Sequence, residues 1–100
     1  MPRFDDKVIL LTGAARGLGR AAAHLFSEQG ASLALVDILK DEVEALAGEL
    51  GAEAFAADLS KVSEIREAVE RIASSFGRID VLINNAAICP RIPFGDATEA

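Results

Sequence analysis

The residues with the clearest chemical use lie near the start of the chain, in the stretch Thr12-Gly13-x-x-x-Gly17-x-Gly19. They stand between an apolar run, Val8-Ile9-Leu10-Leu11, and a helix-forming run that opens near Gly17. The pattern is strand, glycine-rich turn, helix. Such a turn aims a helix N-terminus, with its free N–H groups and positive dipole end, at one point, and that point suits a phosphate. Each glycine has its own expected reason. Gly13 lets the chain leave the strand sharply, Gly17 removes a side chain where backbone approaches a pyrophosphate, and Gly19 lets the first helical turn pack closely on the sheet. The spacing departs from the Gly-x-Gly-x-x-Gly of the common dinucleotide fingerprint. Asp37 is the second signal: it falls about 20 residues past the turn, at the end of another apolar run, where a carboxylate accepts hydrogen bonds from both hydroxyls of an adenosine ribose. The plainer reading of Asp37 is an acid that caps the next helix.

The elements that must position these residues follow from periodicity. Lys7 to Leu11 is continuously apolar after its first residue and short, as in a strand buried on both faces. Residues 17–29 read as a helix with Leu18, Ala22, Leu25 and Gln29 on one side, Ala21 and Phe26 widening the stripe, and Gly30 as the stop. Ser32 to Val36 is a second strand, closed by Asp37; residues 41–50 form a helix with Val43, Leu46 and Leu50 as its stripe, acids at its N-terminal end and Gly51 behind it. Glu53 to Ala57 is a short strand ending at Asp58, with Ser60 placed to cap the next helix. That helix runs to about Phe76, with Val62, Ile65, Val69, Ile72 and Phe76 at alternating steps of three and four, and Gly77 ends it. Ile79 to Ile83 is a fourth strand before Asn84-Asn85-Ala86-Ala87; Ile88 to Gly95 reads as a loop, and Thr98-Glu99-Ala100 as a helix start. Strands alternating with helices predict an α/β fold, a Rossmann-type doubly wound parallel sheet in three α/β/α layers with strand order 3-2-1-4. The crevice between strands one and four then gathers Thr12–Gly19, Asp37, Asp58 and Asn84–Ala87 at the carboxyl ends of the strands.

Composition limits the alternatives. One hundred residues allow one domain, and half of them are apolar. A net charge of −6 with scattered Lys and Arg argues against a nucleic-acid face. The N-terminus is polar and acidic, unlike a signal or transit peptide, and no apolar run approaches the ~20 residues that span a bilayer, so the expected location is cytoplasmic with no membrane partner. Cys89 is the single cysteine, so the chain has no internal disulfide and suggests no cysteine-based metal site. Cys89 reads as an inert thiol and His24, inside the first helix, as a structural or surface histidine; Arg91 is either a solvated loop arginine or a contact for a substrate carboxylate.

The glycine motif, together with Asn84-Asn85-Ala86-Ala87, resembles the short-chain dehydrogenase/reductase family over nearly the whole stretch given. The resemblance implies a cofactor site formed by Thr12, Gly13, Arg16, Gly17, Leu18, Gly19, Asp37, Ile38, Asp58, Leu59, Asn85, Ala86 and Ala87. In it Asp58 bonds the adenine amino group with Leu59 beside the ring, Asn85 to Ala87 line the nicotinamide-side ribose, and Asn84 braces the sheet. Ala87 stands where the family has glycine, which adds a methyl near the cofactor. The family's Ser and Tyr-x-x-x-Lys are expected beyond the fourth strand; the chain has no tyrosine, and Ser74 and Ser75 lie in a helix. The expectation is therefore that residues 1–100 are the N-terminal NAD-binding part of a longer Rossmann domain.

The expected activity is hydride transfer between NAD and a small-molecule alcohol or ketone, in an enzyme that forms homo-oligomers as the family commonly does. The alternatives are a non-catalytic NAD-binding regulatory module and a methyltransferase, which also uses a glycine turn and a strand-two acid. Two residues pull on cofactor choice in opposite directions. Arg16 can meet a 2′-phosphate or simply be solvated, while Asp37 repels a phosphate and Ile38 offers no compensating charge, so NAD is expected over NADP.

Overall fold

Val8–Thr12 forms β1, and all five of its residues are buried. A strand covered on both faces must lie inside a sheet with helices on either side, and β1 does. The structure is a computed structural model that describes residues 4–85. After β1 come α1 (Gly17–Glu28), β2 (Ser32–Asp37), α2 (Lys40–Leu50), β3 (Glu53–Ala56), α3 (Val62–Phe76) and β4 (Val81–Ile83). The strands form one parallel sheet in the order β3-β2-β1-β4, as the alternation of elements predicts.

Alternating side chains of the central strands feed two cores. Ile9, Leu11, Leu33 and Leu35 pack with Ala23 of α1 and with Val43, Leu46 and Ala47 of α2 on one face. Leu10, Ala34 and Val36 pack with Phe55 and with Ala68 and Ile72 of α3 on the other. This is the three-layer, doubly wound arrangement. Gly51 and Gly77 end α2 and α3 in the left-handed region, at φ 69° and 81°, the conformation for which a C-terminal glycine is suited.

Four local expectations change. In α1 the buried face is Gly19 and Ala23, flanked by the half-buried Ala22 and Phe26; Leu18 and Leu25 are 80% and 55% exposed. The helix lies so close to the sheet that small residues fill the interface and the leucines turn away. In α3 only Ala68 and Ile72 are buried, whereas Val62, Ile65 and Val69 are exposed. The three-four repeat does mark the helix. Its upper half, however, borders an open apolar hollow shared with Leu10, Val36, Leu59 and Leu82. Ser60 does not cap α3. Lys61 holds the N-cap position without a side-chain bond, and Glu64 reaches back to accept the Asp58 N–H at 2.7 Å. Finally, β4 begins at Val81 rather than Ile79, because the Asp80 carboxylate takes the Val8 N–H at 2.8 Å in place of a ladder partner. The predicted loop and helix start after Ala87, with Cys89 and Arg91, lie outside the described residues. Among the described residues no helix is long and apolar enough to cross a membrane.

Candidate functional site

The registers of the sheet align its chemistry-bearing ends. Thr12 pairs with Val36, Leu11 with Ile83 and Asp37 with Ala56, so the turn after β1, Asp37, the segment leading to Asp58, and Asn84-Asn85 all emerge on one rim. Gly13 and Gly17 both adopt left-handed backbone, at φ 65° and 58°. A Cβ at Gly17 would meet nothing within 4 Å, so its need for glycine is conformational and it leaves open space beside the turn. Gly19 differs: a Cβ there would stand 1.8 Å from the Gly13 carbonyl oxygen and 2.8 Å from the Asn85 amide nitrogen. The close packing expected of Gly19 is therefore against the turn itself and the end of β4.

Arg16 is the N-cap of α1, in extended backbone and with no side-chain cap bond, and the first turn carries no acid. The N–H groups of Gly17, Leu18 and Gly19 consequently open the helix with no preceding carbonyl of their own helix to take them. An anion at this end meets donors and the favourable end of the dipole together.

Asp37 closes the turn from the side. Its Oδ2 accepts the Ala15 N–H at 2.9 Å and its Oδ1 accepts the Leu39 N–H at 3.0 Å, while the neighbouring Val36 carbonyl accepts the Ala14 N–H at 3.3 Å. The carboxylate thus ties the glycine turn to β2 and shapes the entry to α2 in one stroke. Since a carboxylate offers about four lone-pair sites, the two bonds leave acceptor capacity unused. Asp37 does not cap α2: the N-cap is Leu39, without a side-chain cap bond, and Asp37 binds the N–H of that residue from two positions ahead.

Thr12 joins β1 to β4. Its hydroxyl lies 3.1 Å from the Asn84 Oδ1 and accepts the Asn85 N–H at 2.9 Å, and the Asn85 amide donates to the Gly13 carbonyl at 3.3 Å. Asn84 therefore braces the strands as expected, and Asn85 holds the turn. Asp58 binds its own loop: its Oδ1 accepts the Ser60 hydroxyl at 2.7 Å and the Ser60 N–H at 3.0 Å, and these bonds hold its carboxyl below the usual carboxylate range. Leu59 and Asn84 border the hollow beside α3. Ile38 is exposed immediately past Asp37. Ala86 and Ala87 lie outside the described residues. His24, a surface histidine as expected, stands 4.0 Å from Glu49.

Two features escaped the sequence. Arg16 is bound in a fork by Glu42 of α2, with Nε to Oε1 at 2.8 Å and Nη2 to Oε2 at 2.6 Å. Periodicity placed Glu42 near a helix N-terminus, where an acid needs no further reason. Asp80 anchors β1 to β4 from the opposite end of the sheet, and only its Asp type next to a basic residue, Arg78, hinted at that.

The parallel 3-2-1-4 sheet and this rim define a Rossmann-type nucleotide-binding architecture. The model of the family described as short chain dehydrogenase matches residues 7–100, and the chain belongs to that family. It is 40% identical over 96 residues to D-threitol dehydrogenase of Mycolicibacterium smegmatis, covering 91% of this chain and 37% of the relative. It is 42% identical over 89 residues to meso-2,3-butanediol dehydrogenase of Serratia marcescens, covering 86% of this chain and 36% of the relative. Among solved structures, the 3-ketoacyl-(acyl-carrier-protein) reductase from Brucella melitensis complexed with NADH superposes with a TM-score of 0.76 at 42% identity, over 78% of this chain and 33% of that one. The chain spans 33% to 37% of the length of these relatives.

Proposed function

We propose that residues 1–100 are the N-terminal, cofactor-holding part of a single Rossmann domain in an NAD-preferring short-chain dehydrogenase/reductase. The enzyme moves a hydride between the nicotinamide ring and a small-molecule alcohol or carbonyl compound. The Asp37 carboxylate carries this reading: it is fixed by the Ala15 and Leu39 N–H groups, next to the open N-terminus of α1, with acceptor capacity to spare. Two vicinal ribose hydroxyls satisfy that capacity, whereas a 2′-phosphate brings like charge and no proton to donate. The backbone of Gly13, Arg16, Gly17, Leu18 and Gly19 holds the pyrophosphate, Ile38 flanks the ribose, Asp58 and Leu59 receive the adenine, and Asn85 with Ala86 and Ala87 lines the second ribose. Thr12 acts by holding Asn84 and Asn85 in place.

The NADH complex of the Brucella reductase supports a nicotinamide cofactor, and the threitol and butanediol dehydrogenases support alcohol substrates. When bound, the cofactor supplies the hydride donor or acceptor; the residues described here bind and orient it. The acid/base group belongs to the residues that follow, and the whole enzyme is a cytoplasmic homo-oligomer, dimer or tetramer. The test is a pair of measurements on the full-length protein. NADH is expected to raise the melting temperature while S-adenosylmethionine leaves it unchanged, and NAD reduction is expected with members of a panel of diols, polyols and secondary alcohols. A shift with S-adenosylmethionine alone contradicts the cofactor assignment, and NADH binding without turnover on any panel member favours a regulatory module.

A further inference from the structure

The glycine turn presents one cation toward the end of β2, the Arg16 guanidinium, and α2 has already taken it. Both Nε and Nη2 donate to the two carboxylate oxygens of Glu42, at 2.8 and 2.6 Å. The fork is bidentate, the arrangement in which arginine and a carboxylate match best. Mutual hydrogen bonding raises the Arg16 pKa and lowers that of Glu42, so both stay charged. The next cation along, Lys40 Nζ, is engaged by Glu44 of the same helix at 3.2 Å. Arg20, one turn further along α1, bonds Glu49 at 3.3 Å. The depression just past Asp37 is lined by Ile38, Leu39, Lys40, Asp41 and Glu42, so two of its five residues are acids and its single cation is paired.

We propose that Glu42 is a positioning residue for cofactor choice: by clamping Arg16 against α2 it denies that guanidinium to a ribose 2′-phosphate. The inference rests on the dinucleotide reading above and adds a second acid to Asp37. The two act differently. Asp37 meets the ribose directly, whereas Glu42 acts through Arg16, which has a side chain 71% exposed and swings freely once released.

The experiment uses Glu42→Gln in the full-length protein, which keeps size and polarity but removes the charge that holds the fork. Calorimetric titrations are made with NADH, NADPH and adenosine 2′,5′-bisphosphate, a probe that carries the 2′-phosphate without the nicotinamide. NADPH and the bisphosphate are expected to bind about fivefold tighter to the variant, the scale of one exposed ion pair, with NADH changed less than twofold. The gain shrinks as salt is raised. In the double variant Glu42→Gln with Arg16→Ala the gain disappears, because Glu42 acts only through Arg16. Equal tightening of NADH, or a gain that survives the loss of Arg16, overturns the inference and leaves the dinucleotide reading standing. If wild-type protein binds neither NADH nor NADPH, the dinucleotide reading fails and this inference with it.

Discussion

Two glycines two positions apart, Gly17 and Gly19, need glycine for unrelated reasons, and substitution separates them. Gly17 sits at φ 58° with open space around a would-be Cβ, so Gly17→Ala suffers only the left-handed penalty, about 1 kcal/mol of stability. Gly19 has no unusual φ, but its Cβ would overlap the Gly13 carbonyl, which is backbone and cannot yield. Gly19→Ala is therefore expected to break the turn, lowering stability by several times as much, about 3 kcal/mol or more, and removing NADH binding; Gly17→Val keeps the fold and loses cofactor. Urea melts and NADH titrations of the variants check both, and equal stability losses at the two positions would contradict the geometry. The glycine spacing was legible in the sequence, and so was Asp37. The Gly19–Gly13 contact and the Arg16–Glu42 fork were not, since each joins residues that local pattern does not relate.

Among elements, β4 is held to β1 from both ends. At the rim, the Thr12 hydroxyl accepts the Asn85 N–H. Thr12→Val keeps the shape and removes that acceptor, so it should cost about 1 kcal/mol in a denaturant melt. At the opposite end Asp80 accepts the Val8 N–H and the Arg78 Nε at 2.8 and 2.9 Å, while Arg78 also donates to the Asp6 carbonyl. The Val8 N–H first, and then Arg78, holds the Asp80 carboxyl below its usual range. Because its folded pKa is depressed, Asp80 stabilises the fold above the ordinary carboxylate pKa of about 4, and that contribution is lost as pH falls through the depressed value. Asp80→Asn should melt below wild type at neutral pH, with the gap closing as acid protonates the wild-type carboxyl. A gap that stays constant from neutral pH down to acid would remove Asp80 from this role. Helix type and limits were readable because Gly51 and Gly77 stop α2 and α3 and because apolar periods are strong. Which faces are buried was less readable. A stripe tells that a helix packs, but Leu18 and Leu25 turn outward because Gly19 and Ala23 bring α1 too close for larger side chains.

For the whole molecule, strand order and layering followed from alternation of elements and the buried character of β1 and β2, and the structure agrees. The α3 side is different: Ile65, Val69 and the 63% exposed Leu82 line an apolar hollow among the described residues, and Val62 is exposed on the same helix. Residues 1–100 made alone are therefore expected to self-associate and to show no hydride transfer, having no tyrosine to serve as acid/base; a cooperative monomeric melt by calorimetry and sedimentation contradicts the first expectation, and turnover the second. On the function proposed above, Asp37 sets the rim for the two hydroxyls of an adenosine ribose. The most direct test is the ratio of kcat/KM for NAD to that for NADP in the full-length enzyme, wild type against Asp37→Ala. Like-charge repulsion and lost ribose bonds amount to several kcal/mol, against about 1 kcal/mol or less from an exposed arginine, and each tenfold is about 1.4 kcal/mol. A wild-type preference for NAD of roughly a hundredfold or more is expected, narrowed in Asp37→Ala mainly by weaker use of NAD and moved toward NADP when Ile38→Arg is added. Comparable use of both cofactors by the wild type, or a preference that Asp37→Ala leaves intact, would contradict it.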